Sequence, residues 1–226
     1  MGTLSLSKAG RLFWLGRYTE RVYTSLKNTR PIYDCYVDGT EYDYAQYCTA
    51  LGIPNVYTST EDFCLRYLGD QSSPCSLVSL LYAAYDNAIV LRDTIGTDTF
   101  SYIQLACNAM EKALVSTHPE MELQWVLDDI MAFRGSAEYS LMDESSRTIL
   151  RTGANLERLD LYLRLDYPPD VCRVECERLI NRVYKIPLTP DQTNLGLLID
   201  SVLDETKPEL PPFELLRCVE GLFPEV

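Results

Sequence analysis

The sequence predicts an all-α fold, an irregular helical bundle with two long helices that carry Glu-Arg pairs and several shorter helices. Three observations support this prediction. Apolar residues recur at three- and four-residue steps through long stretches, which is the period of an amphipathic helix. Glycine and proline, with 11 and 12 residues, are sparse and cluster between those stretches. Alternating apolar and polar runs bounded by turns, which predict strands, are essentially missing.

The first long helix is predicted from about residue 8 to residue 27 or beyond, with Ser5 or Ser7 as its cap. Pro31 need not end this helix, whereas Asp38-Gly39 is expected to do so, because glycine accepts the left-handed backbone found after helices. Its inward stripe consists of small and aliphatic side chains at helical spacing, namely Leu12, Leu15, Thr19, Val22 and Leu26.

The remaining helices are expected between turn signals along the rest of the chain. Gly52, Gly96-Thr97-Asp98 and His118-Pro119 separate successive helices, and Pro208 lies in the segment before the last one. The longest pattern is expected to break near Gly135. In chain order the predicted ranges are 42–51, 59–69, 75–93, 100–115, 120–165, 168–184, 194–203 and 213–222.

The charge balance excludes several classes of partner. The chain has 33 acidic and 20 basic side chains, so its net charge is −13. A broad nucleic-acid interface needs Lys and Arg to neutralise phosphates, and an anionic membrane surface attracts basic segments. No apolar run approaches the ~20 residues that span a bilayer. The start of the chain, MGTLSLSKAG, shows no signal-peptide core, and the sequence therefore predicts a cytoplasmic protein with neither nucleic-acid nor membrane partners.

The cysteines and the single histidine narrow the chemistry. The eight cysteines form no C-x-x-C pair, and we expect them to be reduced and mostly buried. Cys172 and Cys176 share a helix face, but two thiols without further ligands make a weak metal site. One histidine excludes histidine-rich metal centres. No metal or cofactor is predicted.

A weak internal repeat is the most informative feature. Residues 12–26 read LFWLGRYTERVYTSL, and residues 149–163 read ILRTGANLERLDLYL. Aligned on Gly16 and Gly153, both segments carry a Glu-Arg pair four positions later. Glycine inside a helix costs about 1 kcal/mol relative to alanine, so both glycines indicate positions where another helix comes close.

The charged residues of the first segment allow two interpretations. At 100° per residue, Arg17, Glu20 and Arg21 lie roughly opposite the apolar stripe, and Phe13 and Trp14 lie on that same side. One interpretation is a solvated ladder of ion pairs, which contributes under ~1 kcal/mol. The other is a helix packed on both sides, with a partly buried Arg/Glu network at a bundle axis or cleft.

At SLSKAGRLFWLGRYTERV the chain resembles the alpha-E domain family, helical bacterial proteins named for a Glu-Arg motif, which show Trp-Leu-Gly-Arg-Tyr-x-Glu-Arg here. The resemblance resumes at NAIVLRDTIGTDTFSYIQ, around Phe133-Arg134-Gly135, and in LRTGANLERLDLYLRL. In the last segment Ala154-Asn155 stands where the family commonly has Arg-Tyr. These segments cover well under half of the chain.

The resemblance implies one alpha-E-like helical domain over residues 1–226, with 186–226 as a peripheral proline-rich extension. By matching motif positions it marks a set of binding residues, with no catalytic residue among them: Arg17, Glu20, Arg21, Arg92, Asp93, Arg134, Glu157 and Arg158. Arg147 joins this set by its position ahead of Gly153. We expect Arg17, Arg92 and Arg158 to converge near Glu20 and Glu157.

The resemblance also implies a context, because family members are typically encoded beside or fused to ATP-grasp and transglutaminase-like proteins. It predicts an accessory helical subunit of an amidoligase system, whose arginines bind an acidic partner segment or an anionic ligand. One alternative is an independent enzyme with paired carboxylates, for which Asp128-Asp129 is the candidate. The other is a structural homo-oligomer that associates through tyrosines, namely Tyr33, Tyr36, Tyr42, Tyr44 and Tyr47.

Overall fold

The computed structural model describes residues 5–117, 119–141, 143–203 and 210–226, and this part of the chain is all-α, as predicted. His118 and Pro208, which the sequence analysis places between helices, lie outside the described residues. The helices in chain order are α1 (Leu6–Val37), α2 (Tyr44–Leu51), α3 (Thr60–Gly69), α4 (Leu77–Val90), α5 (Arg92–Ile95), α6 (Thr97–Ala113), α7 (Glu120–Ser140), α8 (Glu144–Arg164), α9 (Pro169–Val183), α10 (Gln192–Leu203) and α11 (Pro212–Glu220).

Contacts within the chain group these helices into two compact units. Unit 1 consists of Met1–Arg17 and Asp143–Val226, and unit 2 consists of Tyr18–Met142. Helix α1 therefore contributes its first turns to unit 1 and its remaining turns to unit 2. The single domain and the peripheral position of residues 186–226 stay predictions. Within the described ranges, no helix has the length and apolar character required to cross a bilayer.

Helix α1 begins and ends where the sequence indicates. The Ser5 side chain accepts a hydrogen bond from the Lys8 backbone N–H at 3.3 Å, and Pro31 lies inside the helix without ending it. Gly39, with φ +65°, follows the last turn. The predicted apolar stripe is buried, and on the opposite side Phe13 and Glu20 are each only 1% exposed. Helix α1 is thus packed on both sides, which agrees with the second interpretation of its charges.

Helices α1 and α8 cross in unit 1 at the two repeat glycines. A Cβ atom placed on Gly16 would overlap the Leu150 carbonyl oxygen and lie 2.9 Å from the Ala154 nitrogen. A Cβ atom placed on Gly153 would overlap the Phe13 carbonyl oxygen. The predicted close approach is therefore confirmed: each glycine lets the backbone of one helix contact the backbone of the other.

The sequence predicts that its longest helical pattern breaks near Gly135, and this prediction is wrong. Gly135, where a break is expected, lies inside α7, because a single exposed glycine costs a helix only about 1 kcal/mol. The chain leaves the helix after Ser140 instead, and α8 starts behind Asp143. The Asp143 carboxylate accepts hydrogen bonds from the Ser145 and Ser146 N–H groups, which caps α8. The Ser146 hydroxyl and these N–H groups hold the pKa of Asp143 below its usual value.

The other differences are smaller. The helix predicted over 75–93 is divided at Leu91 into α4 and α5, and Ser76 caps α4 by accepting a hydrogen bond from the Ser79 N–H. Helices α2, α3, α9, α10 and α11 agree with their predicted ranges to within about two residues.

Tyrosines of α2 and α3 form part of the core of unit 2. Phe63 stacks against Tyr44 and Tyr67 with ring centroids 5.8 and 5.0 Å apart, and Tyr47 meets Phe63 edge-on. The Tyr33 hydroxyl donates to the Cys64 carbonyl at 3.3 Å. These tyrosines therefore take part in packing within the unit.

The cysteines are free thiols, and six of the eight are buried. Burial raises the pKa of Cys48 to about 11 and the pKa values of Cys64, Cys107 and Cys176 to about 12. Cys35 and Cys75 are partly exposed. The prediction of mostly buried cysteines is confirmed.

We predict that the folded chain reacts slowly with a thiolate-specific disulfide reagent. At pH 8, a thiol with a pKa of about 11 is ionised to about 0.1%, and only the thiolate attacks. We expect a fast phase of no more than two thiols, from Cys35 and Cys75, and eight thiols after denaturation. Six or more fast thiols in the folded protein would contradict this packing.

We also predict opposite effects of alanine at glycines inside helices. Gly16→Ala and Gly153→Ala should lower the free energy of unfolding by about 2–3 kcal/mol or more, because the new methyl group overlaps backbone atoms. Gly135→Ala is the control, since its Cβ atom would meet nothing within 4 Å, and it should stabilise α7 by about 0.5–1 kcal/mol. Urea denaturation measures all three, and a stable Gly16→Ala variant would disprove the close crossing.

Candidate functional site

The first ion pair of the predicted site residues joins Arg17 and Glu157 in unit 1, next to the crossing of α1 and α8. The Arg17 Nε donates to the Glu157 Oε2 at 2.7 Å, and the side chains are 21% and 2% exposed. The Arg17 guanidinium also lies over the Trp14 ring at 4.6 Å. Because Gly16 precedes Arg17 and Gly153 lies one turn before Glu157, the close approach of the helices brings this pair together.

The second ion pair joins Glu20 and Arg134 in unit 2, between α1 and α7. The Arg134 Nη2 is 2.8 Å from the Glu20 Oε2, and the Glu20 side chain is 1% exposed. The Thr24 hydroxyl donates to the other carboxylate oxygen of Glu20 at 2.9 Å. The Arg134 guanidinium lies over the Tyr23 ring at 4.4 Å. Both motif glutamates are therefore buried, and each pairs with an arginine that also covers or approaches an aromatic ring.

Arg21, the motif arginine that follows Glu20, influences the pKa of Tyr67, a buried tyrosine of unit 2. Burial raises the pKa of Tyr67, while the Ser25 hydroxyl and the positive charge of Arg21 act in the opposite direction. Burial also raises the pKa of Tyr47, to which Tyr67 contributes. Both phenols therefore stay protonated at physiological pH.

Arg158, the arginine of the second Glu-Arg pair, lies in a polar network between α8 and α9. Its Nη1 is 3.3 Å from the Glu175 Oε2, and the Arg178 Nη1 donates to the Glu175 Oε1 at 2.6 Å. The Asn155 Nδ2 donates to the Glu175 Oε2 at 2.8 Å and to the Glu175 carbonyl at 3.0 Å. The Arg182 Nη1 in turn donates to the Asn155 Oδ1 at 2.6 Å. All five residues belong to unit 1.

The remaining predicted site residues have local contacts. Arg147 pairs with Glu144 on α8. Arg92 is exposed, with its guanidinium 5.7 Å from the centre of the Phe100 ring, and the exposed Asp93 accepts a hydrogen bond from the Thr94 hydroxyl at 3.2 Å.

The structure brings together Arg17 with Glu157 and Glu20 with Arg134. The expected convergence of these residues with Arg92 and Arg158 stays a prediction, because its members are divided between the two units.

The paired aspartates on α7 show no metal cluster. Asp128 accepts a hydrogen bond from the Gln124 side chain at 2.8 Å. Burial raises the pKa of Asp129, and the negative charge of Asp128 adds to that effect. Across the described ranges, no group of three or more His, Cys, Asp and Glu side chains is placed to hold a metal ion.

Sequence reasoning missed four members of the network between α8 and α9, namely Asn155, Glu175, Arg178 and Arg182. Their spacing was the available signal, because Asn155 and Arg158 are three apart on one helix, and Glu175 is followed by arginines three and seven positions later. Asn155 is also the position that departs from the family pattern, and in the structure it joins Glu175 to Arg182.

Residues 6–167 match the model of the Alpha-E family, described as a predicted alpha-helical domain with a conserved ER motif. The match covers most of the chain and includes both Glu-Arg pairs of the internal repeat, so the chain belongs to the Alpha-E family. It ends just before α9. No curated protein and no solved structure matches the chain.

We predict that the buried glutamates stabilise the fold and that an exposed neighbour does not. Glu157→Gln and Glu175→Gln should each lower the free energy of unfolding by about 2–4 kcal/mol, because each change leaves an arginine without its buried carboxylate. Glu177→Gln is the control, since Glu177 is 41% exposed in its pair with Arg173 and should change stability by under ~1 kcal/mol. Equal effects at Glu175 and Glu177 in urea denaturation would contradict the buried network.

Proposed function

We propose that this chain is an accessory, non-catalytic helical subunit of a cytoplasmic ATP-grasp-type amidoligase system, which forms peptide or amide bonds or tags proteins. Its direct partner is the ATP-grasp-type protein, and a transglutaminase-like protein is a second partner of the same system. The context comes from the resemblance to Alpha-E proteins. The observation that carries the accessory role is the burial of both motif glutamates in ion pairs between helices.

A carboxylate that catalyses proton transfer or binds a substrate must reach the reacting atoms. Glu20 and Glu157 are 1% and 2% exposed, and both contact arginines of other helices. This burial and these contacts support a scaffolding role for the Glu-Arg motif, in which the glutamates hold the helices at a fixed register.

The arginines of the motif are more exposed than the glutamates. Arg17, Arg134 and Arg158 have side chains that are 21%, 23% and 26% exposed. Each guanidinium contacts a carboxylate, which limits the orientations that the side chain can take. In this proposal the exposed parts of Arg17 and Arg158, both in unit 1, contact an acidic segment or an anionic group of the partner. On a chain of net charge −13, these two positive groups also attract an acidic partner toward unit 1.

The test is purification of the tagged chain from its native cytoplasm, with the bound proteins identified by mass spectrometry. We expect an ATP-grasp-type protein to co-purify with the wild type and to be reduced at least tenfold with Arg158→Ala. Arg66→Ala is the matched control, because the Arg66 side chain is 42% exposed and its contacts with Asp62, Asp70 and the Val56 carbonyl all lie within unit 2. Circular dichroism checks that both variants fold.

Two results would contradict the proposal. One is recovery of the tagged chain without an ATP-grasp-type protein. The other is amide-bond formation or ATP hydrolysis by the purified chain alone, which would make it an enzyme. If Arg158→Ala retains the partner at the wild-type level, Arg158 does not contribute to the interface.

A further inference from the structure

Arg182 has an unusual set of contacts for a half-buried arginine. It lies in the last turn of α9, and its Nη1 donates to the Asn155 Oδ1, which is a neutral acceptor. The carboxylate of this network, Glu175, instead contacts Arg158 and Arg178. A guanidinium carries five N–H donors, and the hydrogen bond to Asn155 uses one of them.

Several positive charges surround this group. Burial lowers the pKa of Arg182, and the guanidinium groups of Arg151, Arg178 and Arg158 act in the same direction, against the opposing charge of Glu175. The contacts of Glu175 and Asn155 also join Arg178 and Arg182 to one network, which Arg158 enters from α8. Residues 178 and 182 are four apart on α9, so their side chains lie on the same face of that helix.

Neighbouring like charges destabilise one another, and an anion with two or more negative charges relieves that repulsion. Guanidinium groups bind phosphate and carboxylate oxygens with two parallel hydrogen bonds, which favours such anions over chloride. The contacts of Asn155 and Glu175 already hold Arg178 and Arg182 in position, so less side-chain freedom is lost when a ligand binds.

We infer that Arg178 and Arg182, on the α9 side of this network, form a binding site for a small oxyanion that carries two or more negative charges, either a phosphate group or a polycarboxylate. The site lies within unit 1 and uses α9, beyond the residues that match the family model. It goes beyond the proposed function, because a small oxyanion binds here whether or not the ligase is present.

The test is titration of the full chain with inorganic phosphate and with citrate, followed by calorimetry and by the melting temperature. Sodium chloride at the same ionic strength is the reference for screening alone. We expect saturable binding of at least one oxyanion, a rise in melting temperature, and no such rise with chloride. Stronger binding of phosphate would point to a phosphorylated ligand, and stronger binding of citrate to a ligand with several carboxylates.

Substitutions of Arg178 and Arg182 test whether these two residues form the oxyanion site. Arg178→Ala and Arg182→Ala should weaken oxyanion binding at least tenfold, and Arg182→Lys should weaken it severalfold because it keeps the charge but loses the planar fork. Arg66→Ala, at an arginine of unit 2 whose side chain is 42% exposed, should bind as the wild type does. Arg178 is 54% exposed, so its alanine variant is expected to fold, and it decides the test together with Arg182→Lys if Arg182→Ala does not fold.

The inference is overturned if the wild type binds neither oxyanion saturably, or if Arg178→Ala and Arg182→Lys both bind as the wild type does. Its failure differs from failure of the proposed function. A chain that recovers the ATP-grasp-type protein but binds no oxyanion contradicts only the anion site, and a chain that binds the oxyanion but recovers no such protein contradicts only the accessory role.

Discussion

The crossing of α1 and α8 at Gly16 and Gly153 is the contact on which the motif of unit 1 depends. At each glycine a side chain would occupy the space of a carbonyl oxygen from the other helix. Because the two backbones meet there, Arg17 and Glu157 lie at 2.7 Å in a place where the glutamate is almost completely buried. The glycines thus set the distance between the helices, and the ion pair selects their register.

The same arrangement of charge and aromatic ring occurs in both units. Arg17 combines a buried glutamate with the Trp14 ring, and Arg134 combines Glu20 with the Tyr23 ring. A carboxylate loses its hydration when it is buried, and a guanidinium at hydrogen-bonding distance compensates for part of that loss. An aromatic face adds a favourable contact for the cation. The contact of each arginine with its glutamate therefore stabilises the unit in which the pair lies.

How much the sequence predicts depends on the range of the interaction. The buried stripe of α1, the Ser5 cap and the close approach at Gly16 and Gly153 follow from local spacing, and the structure confirms them. The expected break at Gly135 is wrong because the cap at Asp143, which satisfies two N–H groups, decides where the helix restarts. The contact of Arg158 with Glu175 was missed because Glu175 lies outside the Gly-x-x-x-Glu-Arg repeat, and only the packing of α8 against α9 shows which residues meet.

A double-mutant cycle on Arg17 and Glu157 tests the central claim most directly. The free energy of unfolding is measured for the wild type, for Arg17→Ala, for Glu157→Ala and for the double variant. If the crossing holds these side chains together in a buried pair, the two losses are not additive, and the coupling energy is about 1–3 kcal/mol. Losses that add to within about 0.5 kcal/mol would show that the two residues act independently, and the crossing would not be what brings the motif together.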